Sequence, residues 1–246
     1  RHAGVAQEEE GGPVIPELKV PYLRESEIEH AANELLRRYA KWKGAAVRPP
    51  IDIDNIIEGY FGLDLVFIDL PDFLGVPDVL GATFLHEKRV FIDESLDLEG
   101  KEGRLAFTLA HEGGHWHLHR PLIEADQVTA PLFAKGDIPE QPAIVCRTSQ
   151  KKAPAEWQAD KFASCLLMPA ADVRATVRAL CGDQLPTWEG IEERRKNREL
   201  DERLRDLATE VLERGAFDNV SNEAMRYRLL DLKLVVDASN PQRSLL

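Results

Sequence analysis

His111, Glu112 and His115 are the residues of this chain whose types and spacing carry the plainest chemistry. Residues four apart on a helix stand one above the other, so imidazoles at 111 and 115 reach one ion without rearranging the chain. Glu112 points about 100° away around the axis. It is badly placed to ligate with the pair, yet it reaches a water beside the ion. Two neutral nitrogens and a separate carboxylate are what zinc and a general base need to activate water for peptide hydrolysis. Chance is the competing account, but the surrounding segment reads independently as a helix. Gly113 and Gly114 each cost that helix about 1 kcal/mol relative to alanine. Close approach of a strand or a substrate over the helix is the expected compensation.

A hydrolytic Zn2+ site needs a third protein ligand and an open position for water. His119 lies one turn beyond His115, but positions i, i+4 and i+8 of a straight helix span about 12 Å and cannot converge on one ion. A third histidine ten residues after the first is excluded, because that position is Pro121. His119 is therefore expected behind a ligand, at the substrate, or in a structural role. Glu156 and Asp160, four apart, place two carboxylates on one helix face. One would bind the metal and the other would accept the second N–H of an imidazole. Glu156 is assigned as the ligand and Asp160 as its orienting companion; on spacing alone, two solvent-facing acids fit as well. Cys146 is an alternative or inhibitory ligand, although cysteines are more often buried and inert. His86-Glu87 has no companion at ligand spacing and reads as part of a turn.

The elements that must hold these groups are read from periodicity. Residues 26–42 form a helix with Ile28, Ala31, Ala32, Leu35, Leu36 and Tyr39 on one side, ended by Pro49-Pro50. Asp52 or Asp54 caps a short helix through Ile56, Ile57 and Tyr60 that stops at Gly62. Strands are expected at 65–68, 81–85 and 89–92, with a fourth around 74–80. Helices follow at 101–119 and 156–168, the second opened by Pro154 and closed by Pro169. The proline-bearing stretch 121–152 reads as a long loop with at most a helical turn. Further helices are expected at 172–180 and 199–214, and a last one after Ser221, a good N-cap. Residues 1–20 read as a flexible leader.

Bulk properties narrow the class. At 246 residues with 43% hydrophobic content, the chain buries a substantial core. No stretch approaches the roughly 20 apolar residues of a membrane span. Three scattered cysteines argue against a disulfide framework and for a reducing, cytoplasmic setting. The net charge of −12 disfavours direct nucleic-acid binding. Residues 191–246 are close to neutral, which suggests a body and a separate C-terminal segment.

Two blocks also carry a family resemblance. Residues 104–112, with His115 and Leu118-His119, resemble the core of the ImmA/IrrE-type (DUF955-like) zinc metallopeptidases. Glu156, Ala159, Asp160, Phe162, Ala163 and Leu166-Leu167-Met168-Pro169 resemble their second signature. Residues 220–225 with Arg228-Leu229-Leu230 are similar to the helix-turn-helix-like segment that follows in many members. The resemblance implies an α+β fold: a mostly helical zincin-like (gluzincin-like) metallopeptidase core with a small sheet, then a helix-turn-helix-like segment. The expected division is 1–20 leader, 21–182 metallopeptidase-like domain and 183–246 C-terminal helical segment. It implies Zn2+ on His111, His115 and Glu156, with Glu112 as catalytic base. It implies a protein substrate, a helix-turn-helix transcriptional repressor, whose cutting releases stress or mobile-element genes. His119, His117 or Tyr227 is expected to steady the oxyanion. The rival expectation is a non-proteolytic zinc-containing regulatory module that binds DNA or protein through residues 199–236, with Arg194, Arg195, Lys196 and Arg198 toward phosphates.

Overall fold

The computed structural model describes residues 18–129, 144–147, 153–197, 199 and 201–239. The expected leader falls, apart from 18–20, outside the described residues. The observed architecture is mostly helical α+β with small sheets, as expected.

Helix α1 (Glu25–Lys43) buries Ile28, Ala32, Leu35 and Tyr39, the stripe read from the sequence. Gly44 ends it, adopting the left-handed conformation (φ 69°) with its N–H on the Ala40 carbonyl. Pro49-Pro50 lies beyond that stop, so the prolines do not end the helix. The short helix is a wide π turn, Asn55–Tyr60, and the cap is Asp52, whose Oδ1 accepts from the Asn55 N–H at 3.3 Å.

Strands β1 (Asp64–Ile68), β2 (Val79–Phe84) and β3 (Arg89–Asp93) match the three expected runs. Between the first two lies helix α2 (Leu70–Leu74), where a fourth strand was expected to begin. Asp69 caps it by accepting from the Asp72 N–H, Pro71 sits in its first turn, and Gly75 closes it in the left-handed region. The fourth strand is instead β4 (Ile144–Arg147), inside the stretch read as loop. The order is β1-β3-β2-β4, with β1 parallel to β3 and the other pairs antiparallel. Alternation misses β4 because its four residues are too few to show a period.

Helix α3 (Glu102–Gly114) continues through a π turn, His115–His119, into α4 (Arg120–Thr129). The expected loop therefore begins as helix. Pro121 lies within this unbroken run, directly after the π turn, and does not end it. Residues 130–143 lie outside the described residues.

Helix α5 (Pro154–Leu167) lies against both α3 and α1, burying Ala155, Ala159, Phe162, Ala163 and Leu166. Helices α6 (Ala170–Cys181), α7 (Ile191–Lys196), α8 (Glu202–Gly215) and α9 (Asn222–Asp231) complete the chain. A short parallel pair, β5 (Thr187–Trp188) with β6 (Val236–Asp237), ties the C-terminal segment to itself. Ser221 caps α9 by accepting from the Ala224 N–H. One apolar cluster runs from α1 through α3 and α5 to α8 and α9. No helix among the described residues is long and apolar enough to cross a membrane.

Candidate metal centre

Helices α3 and α5 cross at glycine. A Cβ on Gly114 would stand 3.3 Å from both Cα and the carbonyl oxygen of Ala159, and one on Gly113 would stand 3.1 Å from the Ile57 side chain. The gain that offsets two helical glycines is therefore contact with α5 and the π turn of 55–60, rather than with a strand or substrate. This approach brings side chains of α5 against those of α3.

His111 Nε2 and His115 Nε2 lie 2.9 Å apart. Glu156 reaches over both, with Oε2 3.3 Å from His111 Nε2 and Oε1 3.2 Å from His115 Nε2. A tetrahedral zinc with bonds near 2 Å sets its ligand atoms about 3.3 Å apart; both carboxylate–imidazole spacings match this, and the two imidazole nitrogens stand closer, at 2.9 Å. His111 and His115 are 1% and 0% exposed, whereas the Glu156 side chain is 19% exposed and marks the open side. Two imidazole nitrogens and a carboxylate converging in such burial form a zinc-type donor set. Behind the cluster, His111 Nδ1 lies 2.9 Å from Asp160 Oδ1. An ionised carboxylate only accepts, so in this contact the imidazole proton sits on Nδ1.

Glu112 is wholly buried under β2. Its Oε2 accepts from the Thr83 hydroxyl at 2.5 Å, and its Oε1 has no hydrogen-bond partner among the described residues. Burial pushes its pKa up to about 7, outweighing the charge of His111 and the Thr83 hydrogen bond. A buried carboxylate with one oxygen unclaimed is costly. Gly81 makes this position possible, since a Cβ there would lie 2.6 Å from Glu112 Oε1. Burial likewise carries His115 down to about 4. It pushes Glu156 upward, but hydrogen bonds and charge from both histidines prevail, and this carboxyl sits well below the usual range.

Residues 58–229 match the family model of Peptidase M78, the IrrE N-terminal-like domain. The chain belongs to that family. The match covers more than two thirds of the sequence and contains both helices of the site. No curated protein matches the chain. Family and His–His–Glu cluster together make this Peptidase M78 member a zinc-dependent endopeptidase.

The remaining expected residues fall in distinct places. His119 is fully buried, with Nδ1 on His115 Nδ1 at 2.9 Å and Nε2 on Gln158 Oε1 at 3.0 Å. Both nitrogens are engaged, so it has no donor left for an oxyanion. His117 packs between the rings of Phe61 and Phe162. Tyr227 is exposed on α9. Cys146 stands in β4 opposite Gly81, and its side chain lies outside the described residues. His86 follows β2 in the β2–β3 turn. Sequence reasoning missed Gly81, Thr83 and Gln158. A glycine within a strand pattern is a known sign of close backbone approach, so Gly81 was detectable. Thr83 and Gln158 carry no such signal.

Proposed function

We propose that this peptidase cuts a helix-turn-helix transcriptional repressor in the cytoplasm and thereby releases stress or mobile-element genes. We further assign His111, His115 and Glu156 as the zinc ligands, Glu112 as the catalytic base, and Asp160 as the group that orients His111. The observation that carries the catalytic assignment is the buried Glu112, within electrostatic reach of His111 and Glu156, with Oε2 held by Thr83 and Oε1 without a partner among the described residues. Zinc, when bound, supplies a Lewis acid that polarises the scissile carbonyl and acidifies water. Glu112 Oε1 takes the proton of the attacking water and hands it to the amine that leaves. A pKa raised to about 7 suits both halves of that transfer near neutral pH. Asp160 keeps the His111 proton on Nδ1.

Direct DNA binding is the weaker reading. Helix α9, within the 199–236 segment of the rival expectation, commits Met225, Arg228, Leu229 and Leu230 to the core. Two members of the basic run are paired within the chain, Arg194 with Asp201 and Arg195 with Asp231. Residues 183–246 are accordingly proposed to brace the 21–182 metallopeptidase domain and grip a protein substrate.

The test is to incubate the zinc-loaded chain with candidate helix-turn-helix repressors and follow intact masses. A single cut, lost in Glu112→Gln while zinc content stays at one ion per chain, is the expected result. Unchanged cleavage by Glu112→Gln would remove the base assignment. An intact repressor in the presence of the wild-type chain would remove the substrate.

A further inference from the structure

The two histidines of the cluster are held from behind in different ways. His111 leans on a carboxylate, Asp160. His115 leans on a chain of neutral groups, and the direction of every proton in it follows from its far end. That end is the carbonyl oxygen of Pro21, just before α1, which can only accept. Gln158 Nε2 donates to it at 2.7 Å, which fixes the amide and turns Gln158 Oε1 toward His119 Nε2, 3.0 Å away. An amide oxygen only accepts, so His119 carries its proton on Nε2. His119 is fully buried and bonded to two neutral groups, so a second proton would be an uncompensated buried charge. Its Nδ1 is therefore bare and accepts from His115 Nδ1–H at 2.9 Å. His115 is left with a bare Nε2, the atom that faces His111 and Glu156.

We propose that His119 and Gln158 are positioning residues, a neutral relay that pins the His115 proton on Nδ1 and keeps its Nε2 lone pair facing the ligand cluster. The inference rests on the reading of His115 as a zinc ligand. The π turn of 115–119 sets the two rings against each other, in keeping with the tendency of such turns to mark functional positions. His115, His119 and Gln158 are 0%, 0% and 1% exposed, so bulk water offers no substitute partner. A neutral relay also suits the charge of the site. Glu112, Asp160 and Glu156 already bring three carboxyl groups to the cluster that would hold one dication, and a further buried carboxylate behind His115 would add an unpaired anion.

The test uses the 15N-labelled, zinc-loaded chain and long-range proton–nitrogen spectra, together with zinc Kd from chelator competition. In the wild-type chain His119 should carry its proton on Nε2 and His115 on Nδ1. Gln158→Met keeps the side-chain volume but cannot accept; zinc Kd should weaken by about 10- to 100-fold, the usual cost of losing a partner behind a ligand. In the Gln158→Met spectrum the His119 proton should no longer be fixed on Nε2, which a purely packing role for Gln158 would not predict. A His119 proton on Nδ1, or a zinc Kd for Gln158→Met equal to that of the wild type, overturns the relay alone. The wild-type spectrum decides even if a variant fails to fold. A wild-type chain that takes up no zinc overturns the relay and the proposed function together.

Discussion

Helix α5 serves two buried polar clusters, and they are built to opposite rules. One is the metal centre around Glu156 and Asp160. The other surrounds Arg228 of α9, which is 1% exposed. Arg228 grips Glu29 of α1 through both guanidinium arms, at 2.6 and 2.8 Å, and its Nε donates to the Met168 carbonyl at 2.9 Å. Cys165 of α5 donates to the same glutamate, and Lys161 bridges Glu25 and Asp231 nearby. Every charge in this second cluster has a partner. At the metal centre Glu112 has one oxygen held by Thr83 and one without a partner among the described residues. The two glutamates show what that difference does. At Glu112 burial wins and the pKa rises to about 7. At Glu29 burial also pushes upward, but the Arg228 hydrogen bonds and charge win, and the pKa falls below its ordinary 4.5. Satisfied charge locks helices together, whereas the carboxyl group left unsatisfied is the one proposed as the base.

The comparison can be broken most decisively at its catalytic end. Glu112→Gln should lower peptide cleavage by about 10²- to 10⁴-fold, the usual worth of a general base, while the melting temperature stays close to wild type. A large loss of stability in calorimetry would mean that Glu112 belongs with the structural cluster. At the other end, Glu29→Ala strands a buried guanidinium and should cost about 3–5 kcal/mol in urea unfolding. Zinc Kd, measured well below the melting temperature, should stay unchanged. A variant as stable as wild type would show that Arg228 finds other partners.

Two smaller effects sharpen the contrast. Gly81→Ala places a Cβ where Glu112 Oε1 now stands, 2.6 Å away, and beside Thr108. Displacing the base by a fraction of an ångström should cost about 100-fold in turnover, with one zinc per chain retained by metal analysis. Equal turnover would mean that Glu112 has room to spare. The smallest effect is in pH. Because folding lowers the Glu29 pKa, its contribution to stability is complete above the ordinary value of 4.5 and fades as pH falls through the lower folded-state value. The wild-type chain should therefore lose stability over that acid range, and Glu29→Gln should flatten the loss in urea titrations at stepped pH.

The sequence determined the local parts of this protein. Helical spacing placed His111 beside His115 and Glu156 on the same face as Asp160, because neighbours on a helix are set by covalent geometry alone. The stripe on α1 and the Ser221 cap were legible for the same reason. Tertiary structure decided everything that joins elements remote in the chain. It laid α5 over Gly114, seated Glu112 beneath Gly81 and Thr83, and drew β4 out of a stretch with no readable period. It also set His119 against His115 and Gln158 through a π turn. These outcomes depend on which surfaces meet, and burial then sets which carboxylate is charged; neither quantity is a property of any segment taken alone.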